Sequence, residues 1–226
     1  NFLQISANQL TYTTVLWDLD GTIVDSAPGI FESFIHTFTT LGLPVPPVDE
    51  MRSFIGPPLP VTFGEILGFE PALAAECLNV YREKYLRGGG AQNCQLFPGV
   101  VDLVERNRAA GRANSLATSK GLSGVEVIGE MFGILDLFDV LGTASNDQTR
   151  SAKKDVVTYA LDELQKQGAD LSRTVLIGDR IHDVEGAREH GIDVILVKWG
   201  YGSPDEWAHA DALAETPEHL AQLLGL

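Results

Sequence analysis

Val15-Leu16-Trp17-Asp18-Leu19-Asp20-Gly21-Thr22-Ile23-Val24-Asp25-Ser26 is the stretch whose reading decides the fold. Thr14 to Trp17 is a short apolar run rich in β-branched and aromatic residues, which predicts a buried strand. Two carboxylates follow at i and i+2, then Gly-Thr. If the strand pattern runs through Asp20, both carboxylates face one side. Gly21 lets the chain turn sharply straight after them. Two acids at the mouth of a buried strand repel each other, so a metal, a shared proton or both must offset them. A lone Asp-x-Asp more often just opens a loop. The strand before this one, the Gly-Thr after it and the partners downstream favour chemistry.

Asp18-Leu19-Asp20-Gly21-Thr22 followed by Val24-Asp25-Ser26 resembles the first motif of the haloacid dehalogenase-like (HAD) hydrolases. Candidates for the other three family motifs occur in order, so the resemblance covers nearly the whole chain. It implies that Asp18 is a nucleophile and Asp20 a general acid/base. A carboxylate attacking phosphorus gives an aspartyl-phosphate, which splits one hard displacement into two easier ones. Asp20 would protonate the leaving oxygen and later deprotonate the attacking water, help worth roughly 10²–10⁴-fold. By the same resemblance, its backbone carbonyl could touch a metal.

Downstream the chain divides by pattern. From Ala27 to Leu86 there is almost no strand signal. Ile30, Phe31, Phe34, Ile35, Phe38 and Leu41 recur at helical spacing and end at Gly42 and Pro44. Further helices are expected at Val48–Phe54, Val61–Leu67 and Pro71–Leu86, and Gly88-Gly89-Gly90 carries the chain back. Strands and helices then alternate. Strands are expected at Ala113–Ala117, Phe138–Gly142, Arg173–Ile177 and Val194–Val197. Helices are expected at Val100–Ala109, Gly124–Phe132, Lys153–Gln165, His182–Glu189 and Pro217–Leu224. That alternation predicts an α/β fold, a doubly wound parallel sheet of Rossmann-like type, with an inserted α-helical cap domain. The expected division is core at 1–25 and 92–226, cap at 26–91, with hinges near Asp25-Ser26 and Gly88–Gly90.

In such sheets ligands bind at the carboxyl ends of the strands. Asp18, Thr118 and Asp179 each fall at an expected strand end, so they should converge. Thr118, in Ala117-Thr118-Ser119-Lys120, matches the second motif; its hydroxyl and the amides that follow, Ser119 included, can hold phosphate oxygens. Alone, such a Thr would only cap the next helix. Lys153, in Ser151-Ala152-Lys153-Lys154-Asp155, is the candidate for the third motif. Its ammonium would hold phosphate and offset Asp18. The spacing to the following Asp-Val-Val favours it over Lys154, although the Lys-Pro pair common in this motif is absent. Gly178-Asp179-Arg180-Ile181-His182-Asp183 matches the fourth motif. Hard carboxylate oxygens suit Mg²⁺, so the expected metal set is Asp18, Asp20, Asp179 and Asp183, with Asp183 bound directly or through water. An acid in the first turn of a helix is also favourable by itself. His182 has no second His or Cys at ligand spacing for zinc.

The totals narrow the partners. The net charge of −15 over 226 residues argues against nucleic acid and an anionic membrane surface. It also means that an anionic substrate needs a local cation. Hydrophobic residues at 44% suffice for a sizeable core. Cys77 and Cys94 fit free thiols in a reducing, cytoplasmic setting. No apolar run nears the roughly 20 residues of a membrane helix, and no signal-peptide pattern opens the chain. Monomer and homodimer both remain open.

The resemblance is strongest to phosphoglycolate phosphatase-like members, through Ile55-Gly56-Pro57-Pro58-Leu59 and Trp199-Gly200-Tyr201-Gly202. The expected activity is Mg²⁺-dependent hydrolysis of a small phosphorylated metabolite. A β-phosphoglucomutase-like phosphotransferase, a nucleotide or sugar phosphate phosphatase, and a phosphate-carrying or inactive binding module are the alternatives. Arg52 is either a cap contact to an anionic substrate or a solvated surface residue.

Overall fold

The structure, a computed structural model, describes residues 12–226. The part of the expected core that precedes Tyr12 lies outside the described residues. The strands are β1 (Thr14–Trp17), β2 (Val24–Asp25), β3 (Gln95–Leu96), β4 (Ala113–Gly121), β5 (Val140–Ala144), β6 (Thr174–Gly178), β7 (Asp193–Val197) and β8 (Ala212–Ala214). Six of them form one parallel sheet in the order β5-β4-β1-β6-β7-β8.

β1 is apolar throughout because both its faces are covered. Val15 and Trp17 enter one apolar cluster and Leu16 the other. The helices α5 (Val100–Ala109), α6 (Leu122–Phe132) and α10 (Pro217–Leu224) cover the first face, through Leu103, Ile128 and Leu224. The helices α7 (Lys153–Lys166) and α8 (Ile181–Glu189) cover the second, through Val156, Leu164 and Val184. This is the doubly wound α/β architecture expected from the alternation of elements.

Between β2 and β3 the chain is helical: α1 (Ala27–Thr40), α2 (Val48–Arg52), α3 (Leu59–Val61) and α4 (Pro71–Arg82). α3 and α4 each run on into a π-helical turn, Thr62–Ile66 and Glu83–Arg87. The segment has its own apolar cluster, centred on Phe34, Phe38, Phe54 and Phe63. Of the apolar residues read along Ile30–Leu41, Ile30, Phe34 and Phe38 form the inner face of α1, whereas Ile35 is 41% exposed.

Several boundaries differ from expectation. β2 and β3 pair antiparallel where the helical segment leaves and returns; strands of two residues carry no periodicity to read. β5 begins two residues later than Phe138, because a 3₁₀ turn at Leu135–Leu137 precedes it. A short helix α9 (Pro204–Trp207) and the edge strand β8 lie between Gly202 and Pro217, where no element was expected. The strand expected to end at Ala117 runs to Gly121, so Thr118 lies inside β4 rather than at its end. There the register slips. Ala117 pairs with Gly142 and Gly121 with Ala144, so four steps of β4 match two of β5. Such bulges re-aim side chains beside sites.

Candidate active site

β1 stops at Trp17, so Asp18 and Asp20 do not continue a strand together. The Leu19 carbonyl accepts hydrogen bonds from Thr22, Ile23 and Val24, closing a tight turn. Gly21 makes that turn at φ +82°, and a Cβ there would sit 2.2 Å from Asp179 Oδ2. The two acids therefore take different partners. Asp18 Oδ1 lies 3.2 Å from Lys153 Nζ. Asp20 Oδ1 accepts from Ser26 Oγ at 2.6 Å, and its Oδ2 lies 3.2 Å from Lys120 Nζ.

β6 delivers Asp179 to the same edge. Its Oδ2 accepts from Tyr201 N at 2.8 Å. Asp183 Oδ2 accepts from the backbone N–H groups of Asp179 and Arg180 at 3.0 and 3.1 Å, capping α8. Its Oδ1 lies 2.9 Å from Lys153 Nζ. Asp183 thus does have the helix-start role that any acid at this position could have, and it also faces the cluster. Lys153, at the first position of α7, donates to the Ala117 carbonyl at 2.7 Å and reaches Asp18 and Asp183 at once. Lys154 points elsewhere: it is exposed.

Asp18, Asp179 and Asp183 are all buried, and each offers an oxygen within 4.8 Å of the others. The carboxylate of Asp20 is not in this triad. Three carboxylates against one ammonium leave a formal charge of −2 in a buried space, and hard oxygens are the donors that Mg²⁺ takes. The residues fit a divalent cation. Burial is the main force raising the Asp18 carboxyl well above its usual range; Asp183 adds to it and Lys153 opposes it. Burial and Asp183 likewise push Asp179 up to about 7. Burial would lower Lys153, but Asp18 and Asp183 outweigh it and hold the ammonium protonated.

These shifts set a pH dependence. The folded, metal-free protein binds protons at Asp18 and Asp179 that the unfolded chain has released, since an ordinary Asp titrates near ~3.9. Stability therefore falls as pH rises from about 4 to about 7. Asp147, held down to about 2 by Ser145 and Thr149, acts in the opposite sense only at lower pH. Unfolding free energies from denaturant titrations in EDTA should be higher at pH 5.5 than at pH 8, by ~1.4 kcal/mol or more, the value of one unit. Saturating Mg²⁺ should flatten the difference by replacing the protons.

Above the triad lies a cleft of about 100 Å³ between the sheet edge and the helical segment. Asp18, Asp20, Thr118, Ser119 and Lys120 form its floor. Thr118 Oγ1 accepts from Lys120 N at 3.1 Å, and the buried Ser119 Oγ has no partner among the described residues. All the residues expected from the motifs thus come together at one edge.

Some functional groups were not singled out by sequence. Lys120, next to Thr118-Ser119, pairs with Asp20, donates to the Tyr85 hydroxyl and lies 4.2 Å from the Tyr85 ring centre. Arg180, inside the fourth motif, donates to the Ser53 and Ile55 carbonyls and pairs with Glu206. Arg52 does not line the cleft, and it is exposed. It donates to the Gly200 carbonyl at 3.0 Å and sits over the Tyr201 ring.

Tyr201 ties both sides together. Its hydroxyl accepts from Ser26 N and Ala27 N and donates to Asp25 Oδ1 at 2.7 Å, while its backbone holds Asp179. Tyr201→Phe leaves buried groups without that partner and should cost about 1–3 kcal/mol, read as a lower urea midpoint.

Comparison with known proteins places the chain. The family model described as haloacid dehalogenase-like hydrolase matches residues 15–197. Tyrosine-protein kinase PtkA of Mycobacterium tuberculosis is 41% identical over 191 residues, 84% of this chain. The match spans 64% of that relative's length, less than two thirds. A 5'-nucleotidase of Pseudomonas aeruginosa is 34% identical, over 87% of each chain. A plasmid-borne phosphoglycolate phosphatase of Cupriavidus necator is 30% identical, over 95% of this chain and 94% of its own. The crystal structure of a predicted phosphatase from Clostridium acetobutylicum superposes with a TM-score of 0.87 at 30% identity, covering 96% of this chain and all of that one. With a family model over most of its length, full-length relatives at this identity and the motif residues gathered at one sheet edge, the chain belongs to the haloacid dehalogenase-like hydrolases.

Proposed function

We propose that the protein is a Mg²⁺-dependent phosphatase of a small phosphorylated metabolite, working through an aspartyl-phosphate at Asp18. The observation that carries this reading is the buried triad with its one ammonium, lying under a cleft that opens onto Asp18 and Asp20. Asp18 would attack phosphorus as the bond to the leaving oxygen breaks, and Asp20 would give that oxygen its proton. Water would then lose a proton to Asp20 and attack phosphorus. The bond to Asp18 would break, and phosphate would leave with both side chains restored. Thr118, Ser119 and Lys153 would hold the phosphoryl oxygens.

Asp18, Asp179 and Asp183, with the Asp20 carbonyl that the family resemblance adds, would hold Mg²⁺, which offsets negative charge on the transferring group.

The helical segment at 26–91 is proposed as a cap on a core of 1–25 and 92–226. Its separate apolar cluster and the paired strands β2 and β3 at its two ends support that division. Arg52, Arg180 and Tyr201 would be the contacts that hold it closed, excluding water from the reaction.

The test is phosphate release from a panel of phosphoglycolate, nucleoside monophosphates and sugar phosphates, with Mg²⁺ and with EDTA. Release that needs Mg²⁺ supports the reading. Transfer from ATP to a tyrosine peptide without net phosphate release would replace it with the activity that the mycobacterial relative's name carries.

A further inference from the structure

Among the described residues two cations line the cleft, Lys120 and Arg82. Lys120 is held by Asp20 and the Tyr85 hydroxyl, and Lys153 beneath the floor by Asp18 and Asp183. Arg82 has no carboxylate partner among the described residues. Its Nη2 donates to the Asn146 carbonyl at 3.3 Å, and burial is the one influence that shifts its hold on its proton, downward. A guanidinium stays charged and carries five donors. Acidic residues outnumber basic ones 31 to 16 in this chain, so a purely structural arginine would find a carboxylate easily. Tyr81, Arg82, Tyr85 and Leu86 all line the cleft, the spacing of one face along α4 and the π-helical turn that continues it. Arg82 is the charged member of that face, and it is half-buried.

Arg82 meets the loop after β5, whose Asn146 and Gln148 also line the cleft. Asn146 Oδ1 accepts from Ser123 N and Oγ at 3.3 and 3.2 Å, which leaves its Nδ2 as a donor. Gln148 has φ +64°, and among the described residues no other non-glycine residue takes the left-handed region. Such backbone persists where its surroundings impose it, and it clusters at ligand sites. Here Asp147 imposes it. Its Oδ1 accepts from Ser145 Oγ, Thr149 N and Thr149 Oγ1 at 2.7, 3.0 and 2.8 Å. Gln148 Nε2 makes only a long contact, 3.5 Å, to the Ser145 carbonyl. Asn146 Oδ1 lies 3.6 Å from where a Cβ on Gly121 would stand. Gly121 ends β4 three residues beyond Thr118, on the order of 7–10 Å away. Thr118 and Lys153 therefore serve one end of the cleft, and Arg82 with its two amides serves the other.

We propose that Arg82, with the side-chain amides of Asn146 and Gln148, forms a subsite for a second anionic group, carboxylate or phosphate, on the leaving-group side of the substrate. The chain's charge of −15 repels a doubly anionic ligand at long range, so a local cation is needed there, and Arg82 supplies it. Hydrogen bonds from a guanidinium to an anion are stronger than neutral ones. The assignment rests on the phosphatase reading for which end of the substrate leaves, but its recognition element stands apart from the catalytic aspartates.

The experiment reads binding and turnover separately. Calorimetry at fixed free Mg²⁺ compares 4-phosphonobutyrate and propane-1,3-diphosphonate with the uncharged reference 4-phosphonobutyramide. In each, methylene stands where an ester has its bridging oxygen, so none is hydrolysed. At least one of the two doubly anionic ligands should bind about tenfold or more tightly than the amide, and the tighter one names the group. Arg82→Gln should bring that ratio close to one, and Arg82→Lys should keep part of it as a point charge; both variants are checked for a native melting curve. Turnover is compared on the phosphate esters of 3-hydroxypropanoate and 3-hydroxypropanamide. Their kcat/KM ratio should fall about tenfold in Arg82→Gln, mainly through KM, and comparing the ratio across variants cancels the esters' intrinsic reactivity. Equal binding of all three phosphonates by the wild type overturns the proposal. So does a ratio that survives Arg82→Gln, or a loss shared equally by charged and uncharged ligands, which would make Arg82 a contact between helical segment and core only. If no ester releases phosphate while the phosphonates still discriminate through Arg82, the phosphatase reading fails and the subsite stands.

Discussion

Asp18→Asn should abolish phosphate release, by about 10⁴-fold or more, while leaving the metal-free protein at least as stable as wild type at pH 7. The first half follows from replacing the only carboxylate proposed to attack phosphorus with a much less nucleophilic amide. The second follows from the site's electrostatics. Asp18 is buried, and burial together with Asp183 and Asp179 disfavours its charge more than Lys153 favours it. An amide of the same shape removes that burden, and Lys153 keeps Asp183 at 2.9 Å. The usual outcome of a core polar substitution is a loss of stability. An inactive protein with an unchanged or raised melting temperature would therefore mark Asp18 as held in place against its own electrostatics. The same variant should show a smaller rise in melting temperature on adding Mg²⁺. Thermal scans with EDTA and with Mg²⁺, beside phosphate-release assays, check all three results.

Lys153→Met should do the reverse, costing stability as well as activity. Among the described residues the ammonium is the one positive charge within reach of both Asp18 and Asp183, and all three side chains are nearly inaccessible. Removing one partner of a buried ion pair leaves uncompensated charge and costs roughly 3–5 kcal/mol. For a chain of 226 residues that corresponds to a fall in melting temperature of about 10 °C. The double variant Lys153→Met, Asp18→Asn should regain part of the loss, because an amide carries no charge for Lys153 to balance and needs no proton taken up on folding. Non-additivity of this sign is expected for groups in direct contact. If Lys153→Met melts like wild type, the lysine does not balance the acidic cluster and its assignment to the third motif fails.

The core was legible because its elements are long and periodic. β1 is where the apolar run predicts it, α7 and α10 start at the expected residues, and Asp18 and Asp179 each follow the last residue of a strand. What sequence left out is short or non-local. β2 and β3 have two residues each, so their pairing depends on a contact between positions some seventy residues apart. Thr118 was placed at a strand end, whereas β4 continues through it on a register slip that depends on β5. Asp18 and Asp20 looked like neighbours on one face, but the Leu19 turn gives each its own lysine. Lys120, Arg180 and Tyr201 each stand inside a stretch that drew notice for other residues. Their partners come from the helical segment or from the start of the chain, and no spacing rule links them. Arg52 shows the same limit. Its charge left open a contact to an anionic substrate or a solvated surface residue; it is exposed, with a carbonyl and an aromatic ring beside it.

The central claim is a phosphoryl group carried by Asp18. It is tested most directly by mixing the enzyme with Mg²⁺ and its best ester, quenching in acid within the first turnover, and mapping the phosphorylated peptide by mass spectrometry. The account predicts a phosphoryl group on Asp18 that appears before free phosphate and is absent from Asp18→Asn. Turnover with no phosphorylated Asp18, or with the group on another residue, would contradict it.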